Sequence, residues 1–177
     1  PVYAERYKAF DEKLRQAEES TVATLMILTK RIDAAQGTLD EIREEADTLP
    51  DGTRVYRTAD GEKAYTEDGR LLSGEEMESV AWSDGAPTWE QHEEQREKLE
   101  QLEEAKREVL DYQEDVLDPA RERMNDPENP LSLDDIDALD KSVEAGKPEA
   151  VAAYQRDGED FALGAPEASP DPSPDEA

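Results

Sequence analysis

The stretch Tyr3–Leu49, YAERYKAFDEKLRQAEESTVATLMILTKRIDAAQGTLDEIREEADTL, decides the fold. Its seam positions are Tyr3, Tyr7, Phe10, Leu14, Ala17, Thr21, Leu25, Leu28, Ile32, Ala35, Leu39, Ile42, Ala46 and Leu49, separated by steps of four and three. That is the a/d spacing of a coiled coil, held for about six heptads. One extra step of four at Thr21 is a stutter, which locally unwinds a left-handed supercoil. No proline interrupts the run between Pro1 and Pro50, so one helix is predicted over 1–49. At 1.5 Å per residue it would span on the order of 65–70 Å. Val22, Met26 and Ile27 lie off the seam and predict contact with a second surface. Gly37 is a weak point, costing about 1 kcal/mol in a helix interior. Pro50-Asp51-Gly52 stops the helix.

Beyond that stop the period changes from helical to alternating. Thr53–Thr58, Glu62–Thr66 and Arg70–Leu72 are short β-prone runs separated by Asp60-Gly61 and Asp68-Gly69. Asp-Gly tolerates the positive φ of tight turns, so a three-stranded meander is predicted over 53–72. Such a sheet is too small to stand alone and must pack on a helix. Ser73-Gly74-Glu75-Glu76 is a capping box that predicts a short helix over about 74–81. The Asp-Gly steps do not match a calcium loop, which needs further oxygen ligands at set spacing.

Thr88-Trp89-Glu90-Gln91 is a second capping box. The seam that follows reads Trp89, His92, Leu99, Leu102, Ala105, Val109, Tyr112, Val116, Ala120 and Met124. It predicts a second long helix over 88–126, broken or kinked near Asp118-Pro119. Two seams of similar length joined by a reversing insert predict a mainly α fold. It would be a long antiparallel helical hairpin, a coiled coil with the β-meander at its tip. Trp82 and Trp89 are expected to pack there against Tyr56 and Tyr65. A parallel homo-oligomer through the first helix is the alternative pairing. Ser132 is expected to cap a helix closed by Gly146, and Pro148 to start another, over 127–157. From Gly158 the chain is rich in Pro, Asp, Glu, Ala and Ser and reads as a disordered acidic tail. Phe161-Ala162-Leu163 is an apolar island within it, read either as packing back on the preceding helix or as a docking peptide.

Composition narrows the function classes. The 177 residues carry 48 acidic and 20 basic side chains, one histidine and no cysteine, for a net charge of −28. A cysteine nucleophile is therefore excluded, and a zinc site of the usual Cys and His ligands nearly so. The negative field repels DNA, RNA and anionic lipid, so neither nucleic acid nor membrane is expected as a direct partner. No apolar run suits a membrane span or a signal peptide, which points to a cytoplasmic protein. Charge is uneven: −4 over 1–49, −5 over 50–87, −8 over 88–126 and −11 over 127–177. No phosphate loop, nucleophile elbow or dinucleotide fingerprint occurs, so no enzyme and no cofactor are expected.

Two functional readings follow. The first is a structural adaptor whose protein-binding residues are Val22, Met26, Ile27, Tyr56, Tyr65, Trp82, Trp89, Phe161 and Leu163. The second is an acidic mimic of nucleic acid, or an immunity-type inhibitor, that occupies the basic site of another protein. Its stripe is Glu90, Glu94, Glu97, Glu100, Glu104, Glu108, Asp111, Asp115, Asp118 and Glu122, at steps of three or four. On a continuous helix, carboxylates then recur about every 5 Å, comparable to a nucleic-acid strand. The run D-G-T-R-V-Y at 51–56, with D-G at 60–61 and D-G-R at 68–70, resembles small accessory proteins of bacterial phages and mobile elements. That likeness implies an accessory role and carries over no residue.

Overall fold

A computed structural model describes residues 1–166. The chain is mainly helical with one small antiparallel sheet. The elements are α1 (Val2–Glu45), β1 (Asp47–Thr48), β2 (Arg54–Arg57), β3 (Ala64–Thr66), α2 (Gly74–Glu78) and α3 (Trp89–Tyr112). A π-helical turn (Gln113–Leu117), α4 (Asp118–Met124), α5 (Leu133–Ala145), α6 (Glu149–Asp157) and a 3₁₀ turn (Gly158–Asp160) follow. Two compact units form, one from residues 1–31 and 104–166, the other from 32–103.

Within the first unit α1 buries Phe10, Leu14, Ala17, Thr21, Thr24, Leu28 and Arg31. These positions keep strict four-three alternation, so the extra step expected at Thr21 is absent there. It falls instead at Arg31–Ala35–Leu39, the next buried positions. Thr24 and Arg31 take the places expected for Leu25 and Ile32, which are half-buried. Both polar groups are satisfied where they sit. The Thr24 hydroxyl donates to the Ser20 carbonyl at 2.7 Å, inside its own helix. The Arg31 guanidinium donates to the carbonyls of Glu159, Phe161 and Leu163.

The same unit packs Phe10, Leu14 and Ala17 against Tyr112, Leu117, Ala120, Met124, Leu131, Ile136 and Val143. Tyr3 donates to the Leu131 carbonyl at 2.8 Å and Tyr7 to the Met124 carbonyl at 3.3 Å. Early α1 residues thus meet late ones, the antiparallel sense. Arg121 turns inward to Asp11 and Glu18, each at 2.6 Å. Lys13 reaches Asp140 at 2.6 Å and Glu144 at 3.1 Å on α5, and Arg6 pairs with Asp137.

At Asp118-Pro119, where a break or a kink is expected, the helix continues through a wide turn. The Asp118 N–H bonds the Gln113 carbonyl, five residues back. This turn precedes Pro119, whose ring in an unbroken α-helix would clash with the carbonyl four residues before it. The added residue shifts the seam. The burial step after Tyr112 is five, so Leu117 is buried and Val116, expected in the seam, is half-buried. Ser132 caps α5 with a reciprocal box through Asp135, and Gly146 ends it.

The sheet of the second unit differs from the expected meander. Its order is β1-β2-β3, with Asp47 opposite Val55 and Tyr56 opposite Tyr65. The helix ends at Glu45 rather than Leu49, and Pro50-Asp51-Gly52 is the tip of the first hairpin. Gly52, Gly61 and Gly69 each donate a backbone N–H to the carbonyl three residues back, with φ between +76° and +90°. The expected third strand at 70–72 makes only a single bridge, Tyr65 to Leu71. One sheet face packs Leu49, Val55, Ala64, Leu72 and Val80, with Met77 and Trp82 against them. α2 is held by its Ser73–Glu76 box, and Arg70 grips Glu76 with two bonds of 2.9 Å. Those hydrogen bonds draw the Glu76 carboxyl down to about 2.

Candidate interaction surfaces

The residues singled out in the sequence fall into four sets, and the structure treats them differently. On α1 the seam faces inward, so the opposite side presents Val22 and Met26. They are 48% and 60% exposed, with half-buried Leu25 between them. Spacing of four puts Val22 and Met26 one turn apart on one face, with Leu25 at its edge toward the seam. Ile27 is half-buried.

The aromatic set forms on the other face of the sheet. Tyr56 and Tyr65 are cross-strand partners, so both point to one side. Trp89 and His92 from the first turn of α3 meet them there. Ring centroids lie 4.8 Å apart for Tyr65–Trp89, 5.4 Å for Trp89–His92 and 4.4 Å for His92–Tyr56. Tyr56 and His92 are buried, while Tyr65 and Trp89 are half-buried. Burial raises the Tyr56 pKa, as does its bond to Glu67. Burial lowers that of His92, and neither of its ring nitrogens makes a hydrogen bond. Glu93 lies 3.3 Å from Nδ1 without the alignment of one. Trp82 does not join this stack. It sits on the opposite face, donating to the Met77 carbonyl at 3.1 Å under the Arg57 guanidinium.

The island Phe161–Leu163 is fastened to the chain. Phe161 is fully buried, with Arg31 stacked 4.3 Å from its ring centroid. Arg31 thereby holds residues 158–163, and that part of the expected disordered tail is ordered. Residues 167–177 lie outside the described residues. Nothing in the apolar pattern marks Arg31. Its signal would have been the 3.5-residue period itself, which passes through positions 24 and 31.

All ten stripe carboxylates are exposed. Glu90, Glu94, Glu97 and Glu100 belong to the 32–103 unit, the other six to its neighbour. Arg121 and Arg123 are drawn away from the stripe, Arg121 to α1 and Arg123 to Asp135 and the Asn129 carbonyl. Arg96 and Arg107 stay on the helix surface, paired with Glu93, Glu100 and Glu104.

The hollows of the chain are shallow. One of about 460 Å³ lies between the β2–β3 turn and the 82–88 loop, by Arg57 and Trp82. Another of about 720 Å³ opens by Lys13, Ser20 and Tyr154. Among the described residues, no three His, Asp or Glu side chains are grouped to hold a metal ion. No described helix is long and apolar enough to cross a membrane. Comparison with protein-family models, curated proteins and solved structures finds no match to the chain.

Proposed function

We propose that the chain is a non-enzymatic adaptor for protein–protein assembly, with its long helices paired as an antiparallel coiled coil. The outer face of α1 at Val22 and Met26 seats the partner. The observation that carries this is the exposure of those two side chains on a chain that is 38% charged. An apolar stripe with i, i+4 spacing is what a partner helix reads. Sedimentation of the pure chain tests it. A monomer leaves the face free for another protein. A dimer abolished by Val22→Glu/Met26→Glu would make the face a seam between copies instead.

A second reading, the acidic mimic, is favoured by the exposure of all ten stripe carboxylates and by the withdrawal of Arg121 and Arg123. It predicts a basic partner held by charge. Such a complex weakens steeply as salt rises from about 50 to 200 mM.

A further inference from the structure

The π-helical turn builds a feature that the adaptor reading does not use and that shares only its carboxylates with the acidic stripe. It leaves Val116 outside the seam, against Gly146. A Cβ on Gly146 would lie 3.2 Å from the Val116 side chain and 3.1 Å from the Ser142 carbonyl, so a side chain there would crowd both. On either side of Val116 the surface is hollow. One hollow, about 390 Å³, has Tyr112, Gly146 and Pro148 as its floor, with Glu108, Asp111 and Asp115 around it. The other, about 410 Å³, runs along Pro119, Ala120, Leu131, Ala138 and Leu139. Asp115 and Val116 line both, so the two hollows adjoin at Val116 as a shallow groove lined by apolar side chains together with Asp115, Arg123, Asp135 and Ser142.

The geometry points to this groove as the docking site for a basic, apolar-anchored segment of a partner protein. Charge selects the occupant. A second copy carries −28, and residues 167–177 hold four acidic and no basic side chains, so neither complements the carboxylate rim. A lysine or arginine does. Its aliphatic stem lies on Tyr112 and Pro148 while its head reaches Glu108, Asp111 and Asp115. A leucine-sized neighbour fills the hollow beside Ala138 and Pro119. Arg123, the cation of that second hollow, is already engaged by Asp135 and Asn129. The site is separate from Val22 and Met26, so its failure leaves the adaptor reading standing. It also differs from charge mimicry, which needs no apolar floor.

The probe is a synthetic peptide of alternating arginine and leucine, compared with oligoarginine of equal charge. Both are titrated into the full chain at about 0.3 M salt, where the Debye length is about 5–6 Å. The expected result is saturable binding of the arginine–leucine peptide, with NMR shifts centred on Val116, Ala138 and Leu139. Ala138→Gln fills the hollow from an exposed position, and Asp111→Asn/Asp115→Asn removes the rim charge. Each weakens binding by about tenfold, equivalent to about 1.4 kcal/mol. Binding that matches oligoarginine, spreads over every acidic face, or ignores Ala138→Gln overturns the proposal.

Discussion

Arg31 puts a charge in a helix seam where the apolar pattern calls for an aliphatic side chain. Burial lowers its pKa, and nearby Asp160 opposes that shift. Its hydrogen bonds reach the end of the described chain, more than 120 residues away in sequence. Arg31→Met keeps the volume but leaves those carbonyls without their donor. Unmade bonds to a charged group cost about 2–3 kcal/mol. Denaturant unfolding should show a loss of that size, and hydrogen exchange at Phe161 should rise ahead of exchange in α1. Unchanged exchange at Phe161 would mean the clamp holds nothing.

His92 gives a pH signature. Burial between Tyr56 and Trp89 favours the neutral ring, while Glu93 at Nδ1 and the more distant Glu67 pull the other way and Arg43 assists burial. The folded pKa therefore lies below the unfolded value of about 6.5. Stability is fully present above that value and is lost as pH falls through the window beneath it, because the unfolded chain binds the proton first. The slope cannot exceed about 1.4 kcal/mol per pH unit for one proton. Unfolding measured between pH 5 and 6.5 should show it, and His92→Phe should flatten it. A variant with the same slope would locate the proton elsewhere.

At the scale of elements, the parts legible in the sequence were those with strong local chemistry. The boxes at Ser73 and Thr88 and the cap at Ser132 form as read, because a side-chain cap is settled within four residues. The seams were legible as periods but not as registers. Leu25 and Ile32 look like better core residues than Thr24 and Arg31, until the partners from Ser20 and from 159–163 are known. The π-turn was illegible for a similar reason. Pro119 announces a disturbance, but whether the chain breaks or widens depends on tertiary packing around Leu117. Asp47–Thr48 gained a strand because Pro50-Asp51-Gly52 proved to be a hairpin tip.

Glycines separate these elements by test. Gly61 sits at φ +76° in a turn, so Gly61→Ala should cost about 1–2 kcal/mol despite open space around it. Gly37 lies within α1 with nothing near its missing Cβ. Gly37→Ala should stabilise by about 0.5–1 kcal/mol. Thermal unfolding reads both, and equal signs would refute the element assignment at one of the two positions.

Across the whole molecule, the charge of −28 has a definite arrangement. Some of its 20 cations join parts of the chain: Arg6, Lys13 and Arg121 tie elements together, and Arg123 and Arg70 brace turns. Carboxylates outnumber cations on the outward surface, and Val22 and Met26 are an exposed apolar pair one helical turn apart within it, alongside single exposed side chains such as Leu71 and Leu110. That contrast is the basis of the adaptor account. Exposed side chains are also the least legible part of function, since a sequence shows which face is apolar but not which partner covers it.

The most direct test is capture by the immobilised chain at about 1 M salt, where the Debye length falls to about 3 Å and charge-driven contacts are suppressed. Wild type is compared with Val22→Glu/Met26→Glu of matched far-UV circular dichroism. The account predicts a defined partner protein that wild type retains at that salt and the variant loses. Equal retention by both, or a partner already lost from wild type by about 0.2 M salt, would contradict it.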